Sequence, residues 1–220
     1  RQADLSSLRM ISTGSTIVPA ALVRRVAERG VPLVPVYGAT ETCPLAAYLR
    51  AGDASARAGA AGWPALHCEL RIAGDAGDEL PAGQDGEILV RGPSVATGYW
   101  NAPEETARTF RDGWYHSGDL GHLDADGCLH VVGRRKDLII SGGENIHPAE
   151  VENLLLECPA VAEACVVGRP DARWGEVVVA AVVVKPCCRL TEAETLALFS
   201  GRIARYKHPR DIILTEQLPR

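Results

Sequence analysis

Between Gly59 and Val132 the chain alternates short strand-like runs with clusters of turn formers. Leu70–Ile72, Glu87–Arg91 and Cys128–Val132 are such runs, and Asp75-Ala76-Gly77-Asp78 and Asp124-Ala125-Asp126-Gly127 are such clusters. Runs this brief, interrupted by Gly and Asp, suit strands and not helices, so the middle of the chain is expected to be β-rich. One helix interrupts it. Asn101 stands where a cap belongs, Pro103 falls in the first turn, and Glu104 and Glu105 complement the amino-terminal dipole.

The grammar differs on either side. Upstream, Pro19 to Arg29 reads as a helix with apolar Leu22, Val23 and Val26 and a terminating Gly30. Val31 to Val36 then reads as a buried strand ending at Tyr37-Gly38, and helix followed by strand is the grammar of a layered α/β sheet with ligands at the strands' carboxyl ends. Downstream of Gly133 come strand (Leu138–Ile140), helix (Pro148–Glu157), strand (Val161–Val167), strand (Val177–Val184), helix (Thr191–Arg205) and strand (Asp211–Leu214). Thr191 and Glu194 have capping-box spacing, and Val151, Leu154 and Leu155 line one helix face. The expected fold class is therefore α/β, with a β-rich subdomain, followed by a small α+β domain of about 85 residues. Residues 1–133 form the first part and 134–220 the second.

The composition, 46% apolar and 23% charged in 220 residues, is that of a globular protein. A formal charge of −5 leaves no basic excess for a nucleic acid polymer. The seven cysteines contain no CxxC pair, and their mostly apolar neighbours suggest reduced, core-like thiols in a cytoplasmic protein. No run reaches the roughly 20 apolar residues that a membrane span needs. Arg1 stands where Met would open a chain, and Leu218-Pro219-Arg220 ends without a polar tail, so a fragment is expected.

Four segments carry candidate chemistry. Tyr37-Gly38-Ala39-Thr40-Glu41-Thr42 combines an aromatic face for a purine, hydroxyls for phosphate and a carboxylate for Mg²⁺. A plain strand-to-helix turn with Thr40 or Thr42 as N-cap is the simpler account of the loop taken alone. Tyr115-His116-Ser117-Gly118-Asp119-Leu120-Gly121 places an acid between glycines just after a strand, which suits vicinal ribose hydroxyls or simply a turn. Gly133-Arg134-Arg135-Lys136-Asp137 is either a solvated charge run or a hinge at the change of grammar. Ser141-Gly142-Gly143-Glu144-Asn145-Ile146-His147-Pro148 joins a strand to a helix, and its paired glycines make a tight turn or admit a slender ligand.

Taken in order, and with Gly86-Glu87-Ile88-Leu89-Val90-Arg91-Gly92 through Gly98-Tyr99-Trp100 between them, these segments resemble the carboxyl-terminal half of the adenylate-forming, AMP-binding superfamily, of the acyl-CoA synthetase or fatty-acid–CoA ligase type. That superfamily includes acyl-CoA synthetases, peptide-synthetase adenylation domains and firefly luciferases. The resemblance covers essentially the whole chain. It implies the end of a large AMP-binding domain followed by a small mobile carboxyl-terminal domain. It also implies ATP, Mg²⁺ and CoA as reactants, with a carboxylic acid, fatty or aromatic, activated to acyl-AMP and passed to a thiol; a homodimer is compatible with it.

By the same resemblance, Gly14, Ser15 and Thr16 lie along the adenine with Tyr37, Gly38 and Ala39 nearby. Thr40 meets phosphate, Glu41 holds Mg²⁺, and Asp119 takes the ribose hydroxyls with Arg134 assisting. Lys136 is the pivot, and Gly142 and Gly143 border the pantetheine passage. Val36, Gly38 and Cys43 suggest an apolar neighbourhood for the acyl group. The family's phosphate loop and its catalytic lysine motif match nothing between Arg1 and Arg220, so the piece alone is expected to be inactive. Leu138 to Pro148 favours the CoA-ligase branch. The alternatives are transfer to a carrier-protein pantetheine, an acyl-AMP ligase, or a binding or regulatory module without catalysis.

Overall fold

The computed structural model describes residues 4–15 and 17–219. The chain divides into two compact units, Arg1–Val132 and Gly133–Arg220.

The first unit opens with β1 (Ile11–Thr13), α1 (Ala20–Ala27) and β2 (Leu33–Tyr37), of which β1 was not foreseen from the sequence. Pro19 starts the helix, and Gly30 ends it in the left-handed conformation that glycine adopts freely. Successive residues of a strand face opposite ways. Leu33 accordingly packs with Val23 of α1, while Val34 on the other face packs with Leu49, Ala54 and Cys128. Burial on both faces explains why this strand is a continuous apolar run. β1 and β2 are parallel, and β3 (Ala47–Tyr48) and β4 (Trp63–Pro64) continue the sheet antiparallel.

A second, antiparallel sheet follows. It contains β5 (Glu69–Ala73), β6 (Gly86–Arg91), then after α2 (Pro103–Thr109) β7 (Phe110–Arg111), β8 (Trp114–Leu123) and β9 (Leu129–Arg134). Ile72, Ile88, Val90, Tyr115 and Leu129 form its buried core. The expected cap of α2 is displaced by one residue. Ala102 is the N-cap, and Asn101 instead takes a left-handed conformation (φ 53°). Asn tolerates that conformation because its short polar side chain bonds locally.

The second unit begins with β10 (Ile139–Ser141) and β11 (Glu144–Ile146), a hairpin where a simple strand-to-helix connection was expected. Gly142 and Gly143, at φ 61° and 88°, supply the two positive angles that a two-residue hairpin turn requires. α3 (Pro148–Leu156) follows, then β12 (Val161–Asp171) and β13 (Gly175–Val184) in a long antiparallel ladder. α4 (Glu192–Ala197) leads to β14 (Asp211–Thr215), which lies parallel to β13. Val151 and Leu155 of α3 meet Val166, Val178, Ala180 and Ile212 in the core.

The Thr191 capping box forms as its spacing implies, but the helix ends eight residues short of Arg205. Its last amides shift to carbonyls three residues back, at Leu198, Phe199 and Ser200, and Gly201 turns left-handed. This tightening drives Phe199, fully buried, into the core. The cysteines also correct the sequence reading. All are free thiols, and only Cys128 is buried, whereas Cys43, Cys187 and Cys188 are exposed. Among the described residues no helix is long and apolar enough to cross a membrane.

Candidate functional site

Because β1 and β2 are parallel and in register, Thr13 opposite Pro35, their carboxyl ends deliver Gly14 and Ser15 beside Val36 and Tyr37. A side chain on Gly14 would stand 2.8 Å from Val36 Cγ2, and Ser15 is left-handed at φ 70°. Thr16 lies outside the described residues. Past Tyr37 the backbone folds back so tightly that a Cβ on Gly38 would sit 1.6 Å from the Pro44 carbonyl oxygen. Only glycine fits there.

Ala39 then opens a single 3-10 turn, Thr40–Thr42. Neither threonine is its N-cap. The buried Thr42 hydroxyl accepts from the Ala39 N–H (2.9 Å) and donates to its carbonyl (3.0 Å). Thr40 is exposed, Glu41 is half-buried, and Cys43 is exposed rather than part of an apolar pocket wall.

Asp119 does not follow a strand, nor does it occupy a turn. It lies inside β8, at an irregularity in its pairing with β6. Leu89 faces His116 and Glu87 faces Leu120, so Ile88 alone spans Ser117, Gly118 and Asp119. A bulge of this kind re-aims a side chain out of the sheet's alternation. The extra residues are braced internally. Ser117 Oγ donates to the Ile88 carbonyl (2.7 Å) and accepts from the Asp119 N–H (3.1 Å), and left-handed Gly118 donates its N–H to Glu87 Oε1 (3.1 Å).

The two acids are each held by a phenol. Tyr37 donates to Asp119 Oδ2 at 2.9 Å, and Tyr99 donates to Glu41 Oε1 at 2.7 Å. Tyr99 meets Phe110 edge-on with centroids 5.4 Å apart, and Phe110 stands the same distance from Tyr115. Burial pushes the Tyr37 hydroxyl far up, and the Asp119 charge adds to it. Burial also raises Tyr115, with the Glu41 charge next. Tyr99 is pushed up to about 12, by desolvation first and then by its hydrogen bond to Glu41. All three phenols therefore stay protonated donors at neutral pH. Tyr99 and Glu87 received no site role from the sequence, although both lie in segments that carry the resemblance. Gly98-Tyr99-Trp100 stood out as a motif without a role, and the bonds that give Tyr99 and Glu87 their roles cross strands.

Arg134 ends β9 and Lys136 lies in the short turn Arg135–Asp137, both exposed in the second unit. In the β10–β11 turn the two glycines differ. A Cβ on Gly142 would strike the Trp174 ring at 2.8 Å, whereas nothing lies within 4 Å of one on Gly143. Trp174 carries the guanidinium of Arg173 at 4.9 Å and that of Arg210 at 5.9 Å from its ring centroid, a cationic rim beside the turn.

A second group, Asp124, Cys128 and His130, has ligand-type atoms within 4.8 Å of one another. Its acid is already committed. Asp124 Oδ1 accepts the Asp126 and Cys128 amides, and Oδ2 accepts Arg57 Nη1 at 2.7 Å. Glu41 is the better cation candidate, since Mg²⁺ takes hard oxygen donors and uses one or two carboxylates alongside phosphates.

Comparison with known proteins adds an independent line. Residues 1–100 match the model of the AMP-binding enzymes, and residues 150–220 match that of the AMP-binding enzyme C-terminal domain. An indoleacetate–CoA ligase of Aromatoleum aromaticum is 57% identical over 100% of this chain and 43% of its own length. A feruloyl-CoA synthase of Amycolatopsis is 48% identical over 100% of this chain and 45% of its own. The o-succinylbenzoate CoA synthetase of Bacillus subtilis has been solved with its acyl-adenylate intermediate. It superposes with a TM-score of 0.91 at 41% identity, over 96% of this chain and 43% of that one. The same synthetase has been solved with ATP and a magnesium ion, with a TM-score of 0.89 over 96% of this chain and 44% of that one. The chain thus spans less than half the length of these relatives.

Proposed function

The chain belongs to the AMP-binding enzymes, and from that premise we propose that the full-length protein activates an aromatic or arylalkanoic acid as its acyl-adenylate and transfers the acyl group to CoA. The observation that carries this reading is the pair of phenol-held acids, Asp119 on its bulge and Glu41 on its turn. One suits vicinal hydroxyls, which need a two-oxygen acceptor, and the other suits a hard divalent cation.

In this reading Asp119 grips the ribose. Gly14, Ser15, Thr16, Tyr37, Gly38 and Ala39 border the adenine. At Gly38 the backbone passes so close to the Pro44 carbonyl that no side chain can stand there. Thr40 meets phosphate, and Glu41 holds the Mg²⁺, which neutralises charge on the phosphates when bound. The second unit pivots at Lys136, and the thiol arm of CoA passes Gly143, with the Trp174, Arg173 and Arg210 rim suited to its phosphates. The acid class follows the names of the relatives, an indoleacetate ligase and a feruloyl synthase.

The test uses the full-length protein with indoleacetate, ferulate, o-succinylbenzoate and a medium-chain fatty acid. Pyrophosphate exchange dependent on an aromatic acid, together with its CoA thioester, is the expected result. Exchange with no thioester from CoA but with a loaded carrier protein would move the acceptor to a protein-bound pantetheine. No exchange with any acid would end the reading.

A further inference from the structure

We propose that Tyr99 is a positioning residue for Glu41, its phenol fixing the direction in which the carboxylate presents itself to a divalent cation. This rests on the role given to Glu41 above. A glutamate has three side-chain torsions, and the turn that carries Glu41 fixes only its backbone, so a cation that needs strict geometry requires a second anchor. Tyr99 supplies it. The phenol takes Oε1 at 2.7 Å, and the Ala96 N–H takes the Glu41 carbonyl at 2.8 Å, so the segment around Tyr99 grips both ends of the residue.

Tyr99 is itself immobilised. Its N–H donates to Thr106 Oγ1 (2.9 Å), and that hydroxyl donates onward to the Ala102 carbonyl (2.8 Å). The Thr106 methyl fills the space beside Gly98, 2.5 Å from where a Cβ would stand, and Phe110 braces the ring. The chain of restraint therefore runs from α2 through Thr106 and Tyr99 to Glu41. A carboxylate has about four lone-pair sites, so accepting one phenol leaves capacity for a cation.

The experiment is a titration of Mn²⁺ into the full-length protein with ATP, followed by electron paramagnetic resonance, on the parent, Tyr99→Phe, Glu41→Gln and the double variant. Tyr99→Phe deletes the hydroxyl and keeps the ring. It should weaken Mn²⁺ binding about tenfold or more, the usual penalty for losing a partner of a metal-binding carboxylate. It should have no further effect in the Glu41→Gln background, and AMP binding in EDTA should stay at the parent level. Unchanged Mn²⁺ affinity, or an equal loss in both backgrounds, overturns the proposal. Should Tyr99→Phe fail to fold, Thr106→Val decides, since it loosens Tyr99 from behind; intact Mn²⁺ binding there also overturns it. If Glu41→Gln binds Mn²⁺ as the parent does, the role of Glu41 falls and the inference falls with it. Loss of AMP binding in Asp119→Ala would still support the nucleotide site.

Discussion

Asp119 and Glu41 are acids whose surroundings, more than their neighbours in sequence, decide what they can do. Asp119 is aimed by three bulge residues and tied to Tyr37 across 82 positions of sequence. Replacing it with alanine in the full-length protein should cost nucleotide binding about 1.5–3 kcal/mol, the usual range for hydrogen bonds to a charged group. Calorimetric titration of AMP with a parallel thermal melt is the check, and parent-level affinity in a folded variant would remove Asp119 from the site. Both acids stood out as candidates from the Thr40-Glu41 and Ser117-Gly118-Asp119 motifs. Their settings did not. A turn was one expected context for Asp119 because flanking glycines imitate turn chemistry, whereas a bulge is defined by the partner strand and leaves no mark in its own sequence.

At the scale of elements, the strands with clear turn boundaries were legible, and the misjudged ones failed for identifiable reasons. β1 is only three residues long, and β11 follows so closely on Gly142-Gly143 that the hairpin passed for a loop. The overlong reading of α4 rested on its Thr191–Glu194 start signal, and the helix ends before Phe199 turns inward. Gly143→Leu tests the hairpin. The new side chain would meet no neighbour, but at a φ of 88° it adds backbone strain on the order of 1–3 kcal/mol, so a thermal melt accompanies the assays, whereas Gly142 is also pinned by Trp174. Acid-dependent pyrophosphate exchange should remain near the parent level while thioester output is lost. Equal loss of both in a folded protein would make Gly143 a purely structural turn residue.

α3 carries a second test at this scale. Glu152 accepts the Val166 N–H at 2.8 Å, joining α3 to β12, yet burial raises its carboxyl, with Asp137 adding to the rise against the opposing amide. A raised folded value means that the stabilising contribution is complete below the ordinary Glu range of about 4.3 and is lost as pH climbs through the folded value. At pH 7 the charge works against folding. Glu152→Gln keeps an acceptor without the charge, so it should melt higher than the parent at pH 7, with the gap closing toward pH 4. A gap independent of pH, or a lower melting point throughout, would refute this account.

For the whole molecule, the change of grammar near Gly133 coincides in position with the division of the chain into units at Val132 and Gly133. Arg134, Arg135 and Lys136 are all exposed there. We expect brief trypsin treatment to cut among them and release two resistant pieces. Preferred cleavage elsewhere, with this stretch protected, would count against a hinge at Lys136.

The links between Glu41 and Tyr99, 58 positions apart, and between Tyr37 and Asp119, 82 apart, also bear on the order of assembly. Contacts that close long loops form slowly, and the local β12–β13 hairpin of the second unit faces no such delay. Both phenol–acid pairs thus depend on long loops of the first unit having closed. During refolding, affinity for AMP should appear after secondary structure has returned, which makes ligand capture a clock for the last stage of folding.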